Sequence, residues 1–357
     1  MEIENDSCTT PKLPSTNYES PFLRACHRLP NDSTPVWFMR QAGRYMAEYR
    51  AIREKHSLLE ICYQPELAAE VTLQPVHALG VDAAILFADI LLPAIPLGVG
   101  IEFAKGEGPV LQNPVRTMED VKKLRPVNPE TDLGYVMKAI RILRGELKDI
   151  PLIGFCGAPF TVASYIIEGG SSREFLKTKT MMYSAPEVWR ALMDKLSIVL
   201  ADYLVAQVRA GAQAVQMFDS WVGALNPQDY ETFVLPYSQF ILQAAKREGV
   251  PSIHFGTNTT TLLPLMKQAG SDVIGLDWRI PLDDGWKILG DDVAVQGNLD
   301  PALLFAPLPE IKKRVNDILK RADGKPGHIF NLGHGILQHT PADNVKAVVD
   351  MVHEYGN

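Results

Sequence analysis

The sequence predicts an α/β fold, a single-domain (β/α)8 TIM-type barrel with its active site at the carboxyl ends of the strands. Two observations carry this prediction. Eight short apolar runs rich in β-branched or aromatic residues recur along the 357 residues, most of them separated by segments of helical periodicity. Continuous apolar strands alternating with helices imply parallel pairing with both faces covered. Distinctive polar or glycine-rich groups also stand just after most of these runs, and in a barrel those ends meet on one rim. A doubly wound sheet is the alternative, but it collects ligands mostly at one crevice.

The first run, Val36–Met39, stops at Arg40 within the stretch PVWFMRQAGRYMAEYR, Pro35–Arg50. On a helix, Arg40 and Arg44 would repel each other from one face, and Gly43 is a poor helix former. A loop that aims two guanidiniums at a carboxylate or phosphate is the simpler reading. The bland alternative is two ordinary surface salt bridges. A helical pattern at Pro65–Ala78 leads to the second run, Ala83–Phe87, and then to Asp89 among apolar neighbours. A carboxylate there must be hydrogen-bonded, paired or raised in pKa. It either caps a turn or stabilises positive charge.

The third run, Leu152–Phe155, is followed by Gly157-Ala158-Pro159 and by TVASYIIEGGSS, which holds Tyr165 and Glu168. Gly169–Ser172 reads as a mobile loop able to cover a site, while Tyr165 is either a contact or simple packing. After the helical pattern Ala185–Ala210, the run Ala214–Phe218 leads into Asp219 and Ser220. Ser220 has no evident triad partners, so a ligand hydrogen bond is its more plausible role. Met217, Phe218 and Phe87 either line a pocket or pack the core. Helical patterns at Tyr230–Glu248 and Leu262–Ala269 precede the runs Ser252–Phe255 and Val273–Leu276, the latter closed by Asp277. Val293–Gln296 opens into Gly297-Asn298-Leu299-Asp300. Past the pattern Glu310–Ala322, the run His328–Asn331 ends in Gly333-His334-Gly335. Flanking glycines allow close backbone approach to a ligand, so His334 is a candidate contact rather than only a core histidine.

Composition sets limits on function. With 46% hydrophobic and 22% charged residues the chain has ample material for a core. A net charge of −7 argues against non-specific binding to nucleic acid or anionic membrane, so an anionic ligand requires a locally basic pocket. Cys8, Cys26, Cys62 and Cys156 form no CxxC and read as free thiols of a reducing, cytoplasmic compartment. Residues 1–18 read as a disordered polar tail ahead of one domain spanning 19–357. No run approaches the roughly 20 apolar residues of a spanning helix. Neither metal-ligand spacing nor a dinucleotide fingerprint is present, so no metal and no dinucleotide are expected.

The segments Phe38–Tyr45, Phe87–Leu91, Leu152–Pro159, Tyr165–Gly170, Gln296–Pro301 and Asn331–Gly335 resemble the uroporphyrinogen decarboxylase family. The resemblance runs from about Pro21 to about His353, and its RQAGRY and GNLDP signatures are highly specific. It implies a (β/α)8 barrel, a homodimer, and a cofactor-independent carboxy-lyase of haem and porphyrin biosynthesis. The expected reaction removes the four acetate carboxyl groups of uroporphyrinogen III as CO2, giving coproporphyrinogen III. It further implies substrate contacts at Arg40, Gln41, Ala42, Gly43, Arg44, Asp89, Tyr165, Ser220 and His334. Asp89 would accept the central pyrrole N–H groups, and Arg40 would be the candidate proton donor beside the leaving CO2. The stretch Phe255–Thr260 departs from the glycine-richer turn of many relatives, and no role attaches to it. Rival readings are a corrinoid- or thiol-linked methyltransferase on the same barrel, which would need a His/Cys zinc site, and a non-catalytic tetrapyrrole-binding protein.

Overall fold

The computed structural model describes residues 20–103 and 108–355. The expected tail, residues 1–18, lies outside them. Among the described residues nine strands follow in chain order: β1 (Ala84–Ile85), β2 (Ile101–Phe103), β3 (Pro109–Leu111), β4 (Leu152–Gly157), β5 (Ala214–Asp219), β6 (Ser252–Gly256), β7 (Val273–Gly275), β8 (Ala294–Gln296) and β9 (His328–Ile329). Seven of them form one curled parallel sheet in the order β1-β4-β5-β6-β7-β8-β9, and helices fill the crossovers. β2 and β3 make a separate antiparallel hairpin that the sequence reading missed, because three-residue strands give too short a pattern to register.

Val36–Met39 is not a strand. Only Val36 pairs, in parallel with Phe330. The reason is local: the Phe38 N–H donates to Gln41 Oε1 at 3.1 Å and the Met39 N–H to Asn331 Oδ1 at 3.2 Å, so side chains take the donors a ladder needs. The segment still lies between the two ends of the sheet. Phe330 N donates to Pro35 O at 2.8 Å, and Asp82 N, just before β1, donates to Val36 O at 2.8 Å. Asp82 Oδ2 in turn accepts from Val36 N at 2.7 Å and sits 2.9 Å from His353 Nε2 at the end of the last helix.

A second departure is the segment Tyr230–Glu248, which forms two helices, Pro227–Phe233 and Leu235–Arg247, broken at Val234. Pro236 in the first turn of the second helix has no N–H to offer, which favours a fresh start over continuation. The helix Pro186–Ala210 follows the usual grammar, with proline at its first position, Glu187 in its first turn and Gly211 at φ +125° past its end. From it Gln207 reaches the sheet: its Nε2 donates to Phe155 O at 2.8 Å and its Oε1 accepts from Phe155 N at 2.9 Å. A Cβ on Gly154 would lie 2.7 Å from that Oε1, so the neighbouring position has to be glycine.

Inside the curl, Trp37 Nε1 donates to Gln296 Oε1 at 3.0 Å and Gln296 Nε2 to Gln216 Oε1 at 3.1 Å. All three side chains are fully buried beneath Met39 and Phe218, which stand one layer nearer the carboxyl ends. Cys26, Cys62 and Cys156 are buried free thiols. Among the described residues no helix is long and apolar enough to cross a membrane.

Candidate active site

A cavity of about 510 Å3 opens at the carboxyl ends of the strands. Ile85, Phe87, Phe155, Phe218 and Phe255 supply an apolar, largely aromatic wall, with Phe155 and Phe218 edge to face at 5.4 Å. Against that wall stand Arg40, Ala42, Gly43, Arg44, Asp89, Tyr165, Ser220 and His334. Met217 does not line the cavity; it packs in the core.

Arg40 and Arg44 belong to the loop that precedes the helix Ala47–Lys55, and both are exposed. Arg40 has φ +58°, a left-handed conformation that a non-glycine residue adopts at some energetic cost. Its side chain lies over Gly335, where a Cβ would come within 2.5 Å of Arg40 Cδ. Among the described residues, no carboxylate stands within salt-bridge distance of either arginine, so the reading as ordinary surface ion pairs does not apply. Gln41 differs from its neighbours. Its side chain is wholly buried, with Nε2 donating to Ala83 O at 3.1 Å and Oε1 accepting from Phe38 N. The side chain expected to touch substrate therefore braces the loop against β1 instead. Tyr45 adds to the brace, its hydroxyl donating to Gln41 O at 2.7 Å.

Asp89 follows β1 and is half-buried at the cavity wall. Its Oδ1 accepts from Leu91 N at 2.8 Å. Burial raises its pKa, while the Leu91 N–H and the positive charge of Arg40 pull the other way. His334 is pushed down to about 4, first by burial and then by the Arg40 charge. Its Nδ1 accepts from Gly335 N at 2.7 Å, which leaves the ring's proton on Nε2. Tyr165, on the helix Pro159–Glu168, stacks on Trp221 at 3.8 Å between ring centres. Burial raises its pKa, and the Asp89 charge adds to the effect. Glu168 faces elsewhere, its Oε1 accepting from Thr178 N and Oγ1, each at 2.9 Å. The Gly169–Ser172 segment is tied to the hairpin by Leu111 N donating to Gly169 O at 3.0 Å.

Sequence reasoning missed Trp221, Phe155 and Phe255. Their side chains matter only through the fold, and each alone reads as core. Among the described residues, no three His, Cys, Asp or Glu side chains gather as metal ligands do, and Cys156 is wholly buried with its thiol pKa pushed up by burial.

Known proteins resemble this chain over nearly its whole length. A family model described as "Uroporphyrinogen decarboxylase (URO-D)" matches residues 17–355. A protein of that name from Carboxydothermus hydrogenoformans is 58% identical over 93% of this chain and 95% of its own length. Another from Sorangium cellulosum is 60% identical over 93% of this chain and 95% of its own. Among solved structures, a methyltransferase from Methanosarcina mazei covers 94% of this chain and 98% of its own at a TM-score of 0.77 and 20% identity. A B12-independent methionine synthase from Shewanella covers 83% of this chain and 89% of its own at 0.55 and 12%. At those identities the likeness concerns the fold alone.

Proposed function

The chain belongs to the uroporphyrinogen decarboxylase family, and from that membership we infer that its carboxy-lyase reaction runs in the cavity between Arg40, Asp89 and His334. The reaction takes the four acetate carboxyl groups from uroporphyrinogen III as CO2 and yields coproporphyrinogen III. One observation supports this location above the others: a single carboxylate, Asp89, stands at an aromatic wall within the electrostatic reach of Arg40.

The chemistry asks for such an arrangement. A proton added to a pyrrole ring carbon makes the ring cationic. The C–C bond to the carboxylate then breaks, its electron pair flows into the ring, and CO2 leaves. A second proton converts the exocyclic methylene to methyl, and the ring carbon gives up the first proton to restore the pyrrole, so that one proton is consumed for each CO2 released. An anion beneath the macrocycle stabilises that cation, and preorganised charge of this kind is usually the largest catalytic contribution. Asp89 takes this role and accepts the central pyrrole N–H groups. Arg40 and Arg44, exposed and without carboxylate partners among the described residues, bind the acetate and propionate arms, and Ala42 and Gly43 approach the substrate beside them on the loop that the buried Gln41 braces. His334 stays neutral near neutral pH and offers only its Nε2–H as a donor, so it is not the acid. Arg40, beside the departing carboxylate, is the candidate for that proton. Tyr165 and Ser220 complete the contacts.

We also propose that Pro35–Trp37 closes the seven-stranded sheet as an eighth segment, giving a single-domain (β/α)8 barrel, and that the protein works as a homodimer in the cytoplasm. The test of function is anaerobic incubation with uroporphyrinogen III. Stepwise seven-, six-, five- and four-carboxyl products with matching CO2 release are expected. Binding without CO2 release would overturn the reading in favour of a tetrapyrrole carrier.

A further inference from the structure

Behind the cavity wall, Asp219, Thr161 and His254 form a wholly buried polar cluster that none of the substrate contacts uses. Burying a carboxyl group costs free energy unless its bonds are made, so an account of its placement is needed. The Thr161 hydroxyl donates to Asp219 Oδ1 at 2.9 Å and accepts from Trp221 N at 3.3 Å. His254 Nε2 lies 3.5 Å from Asp219 Oδ2. By accepting the hydrogen bond of the hydroxyl, Asp219 turns a lone pair of Thr161 toward the Trp221 amide. On the opposite side the Thr257 hydroxyl donates to Ser220 O. Thr257 lies in the loop that departs from the family pattern and had no role.

Ser220 C=O and Trp221 N–H are the two polar ends of one peptide group. Each is held by a different threonine, so rotation of that peptide plane is blocked from both sides. The plane governs two cavity residues together: Ser220 lies on one side of it, and on the other the Trp221 ring stacks on Tyr165. Thr161 and Tyr165 are also four residues apart on one helix and share a face. Gly223 lets the arrangement close, since a Cβ there would lie 2.2 Å from Thr257 O.

We propose that Asp219, Thr161 and Thr257 form a clamp on the Ser220–Trp221 peptide that positions Ser220 and Tyr165 against the substrate. The proposal rests on assigning Tyr165 and Ser220 to the substrate cavity. In Thr161→Val both bonds vanish at nearly constant volume, and kcat/KM for uroporphyrinogen III is expected to fall about tenfold, as small displacements at a site do. Thr161→Ser keeps both bonds and should stay within about twofold of the parent. In a Tyr165→Ala background the Thr161→Val effect should shrink to the part carried by Ser220, and in a Tyr165→Ala, Ser220→Ala background it should fall below about twofold, because both groups it positions are gone. The near-ultraviolet circular dichroism band lost in Trp221→Phe should also weaken in Thr161→Val and in Thr257→Val, but not in Thr161→Ser. Equal impairment of the serine and valine variants, or additivity with Tyr165→Ala, would overturn the clamp. If the parent releases no CO2, the functional reading fails, while the dichroism comparison still decides the clamp.

Discussion

A carboxylate beside phenyl rings is a liability to the folded state, and Asp89 shows what that liability implies. Its folded pKa is raised above the ordinary carboxylate value, so the folded chain holds the proton more tightly than the unfolded one. Stability associated with that proton is therefore present at low pH and lost as pH rises through the raised pKa. Near neutral pH the ionised group destabilises. Asp89→Asn should accordingly raise the melting temperature by about 1–3 °C while lowering kcat at least about 100-fold. A melting point that falls instead would show that the charge holds the fold. In the proposed mechanism Asp89 acts in its ionised form, so kcat/KM in the free enzyme should drop on the acid side at a pH above that of an ordinary carboxylate. Arg40 makes a complementary case. Its left-handed backbone disfavours a side chain by about 1–2 kcal/mol, so Arg40→Gly should stabilise the chain yet abolish turnover, as thermal melts and a CO2 assay would show. The gathering of Arg40, Arg44 and Asp89 at one cavity was legible in the sequence because their types were unexpected where they stood. The inward turn of the Gln41 side chain was not, since two backbone partners distant in sequence decide it.

At the scale of elements, the alternation of runs and helices gave the strand positions to within a residue or two, from Leu152–Gly157 to His328–Ile329. The departures have physical causes that a periodicity does not contain. Val36–Met39 loses its ladder because Gln41 and Asn331 take its donors, and Tyr230–Glu248 breaks where Pro236 restarts the helix. The final helix, Ala342–His353, is joined to the region before β1 by the His353–Asp82 contact, in which Asp82 raises the histidine pKa. A raised folded pKa contributes stability that is complete below the unfolded value of 6.5 and disappears as pH climbs through the folded one. Melting temperature should therefore decline across that window, and His353→Gln should flatten the decline. An unchanged slope in the variant would assign the pH dependence to other groups.

For the molecule as a whole, the succession of parallel strands was legible, and so was the gathering of polar residues at one end. The way Pro35 and Val36 bond toward both β9 and the residues before β1 was not, because it depends on single bonds with Phe330 and Asp82 across distant parts of the chain. Activity should be unchanged after dialysis against EDTA; inhibition reversed by zinc would reopen the methyltransferase reading. The buried layer of Trp37, Gln296 and Gln216 has a final consequence. It backs the cavity on the side away from the carboxyl ends of the strands, so a macrocycle enters at the rim, and once seated it stands as a cork in that doorway. Four arms must then be offered in turn at one reacting position, with the cork loosened and reseated each time. Traffic through the doorway, rather than bond cleavage, should limit the later rounds. Raising solvent viscosity should slow the conversion of seven-carboxyl to four-carboxyl product in proportion, whereas a rate indifferent to viscosity would place the limit in the chemistry.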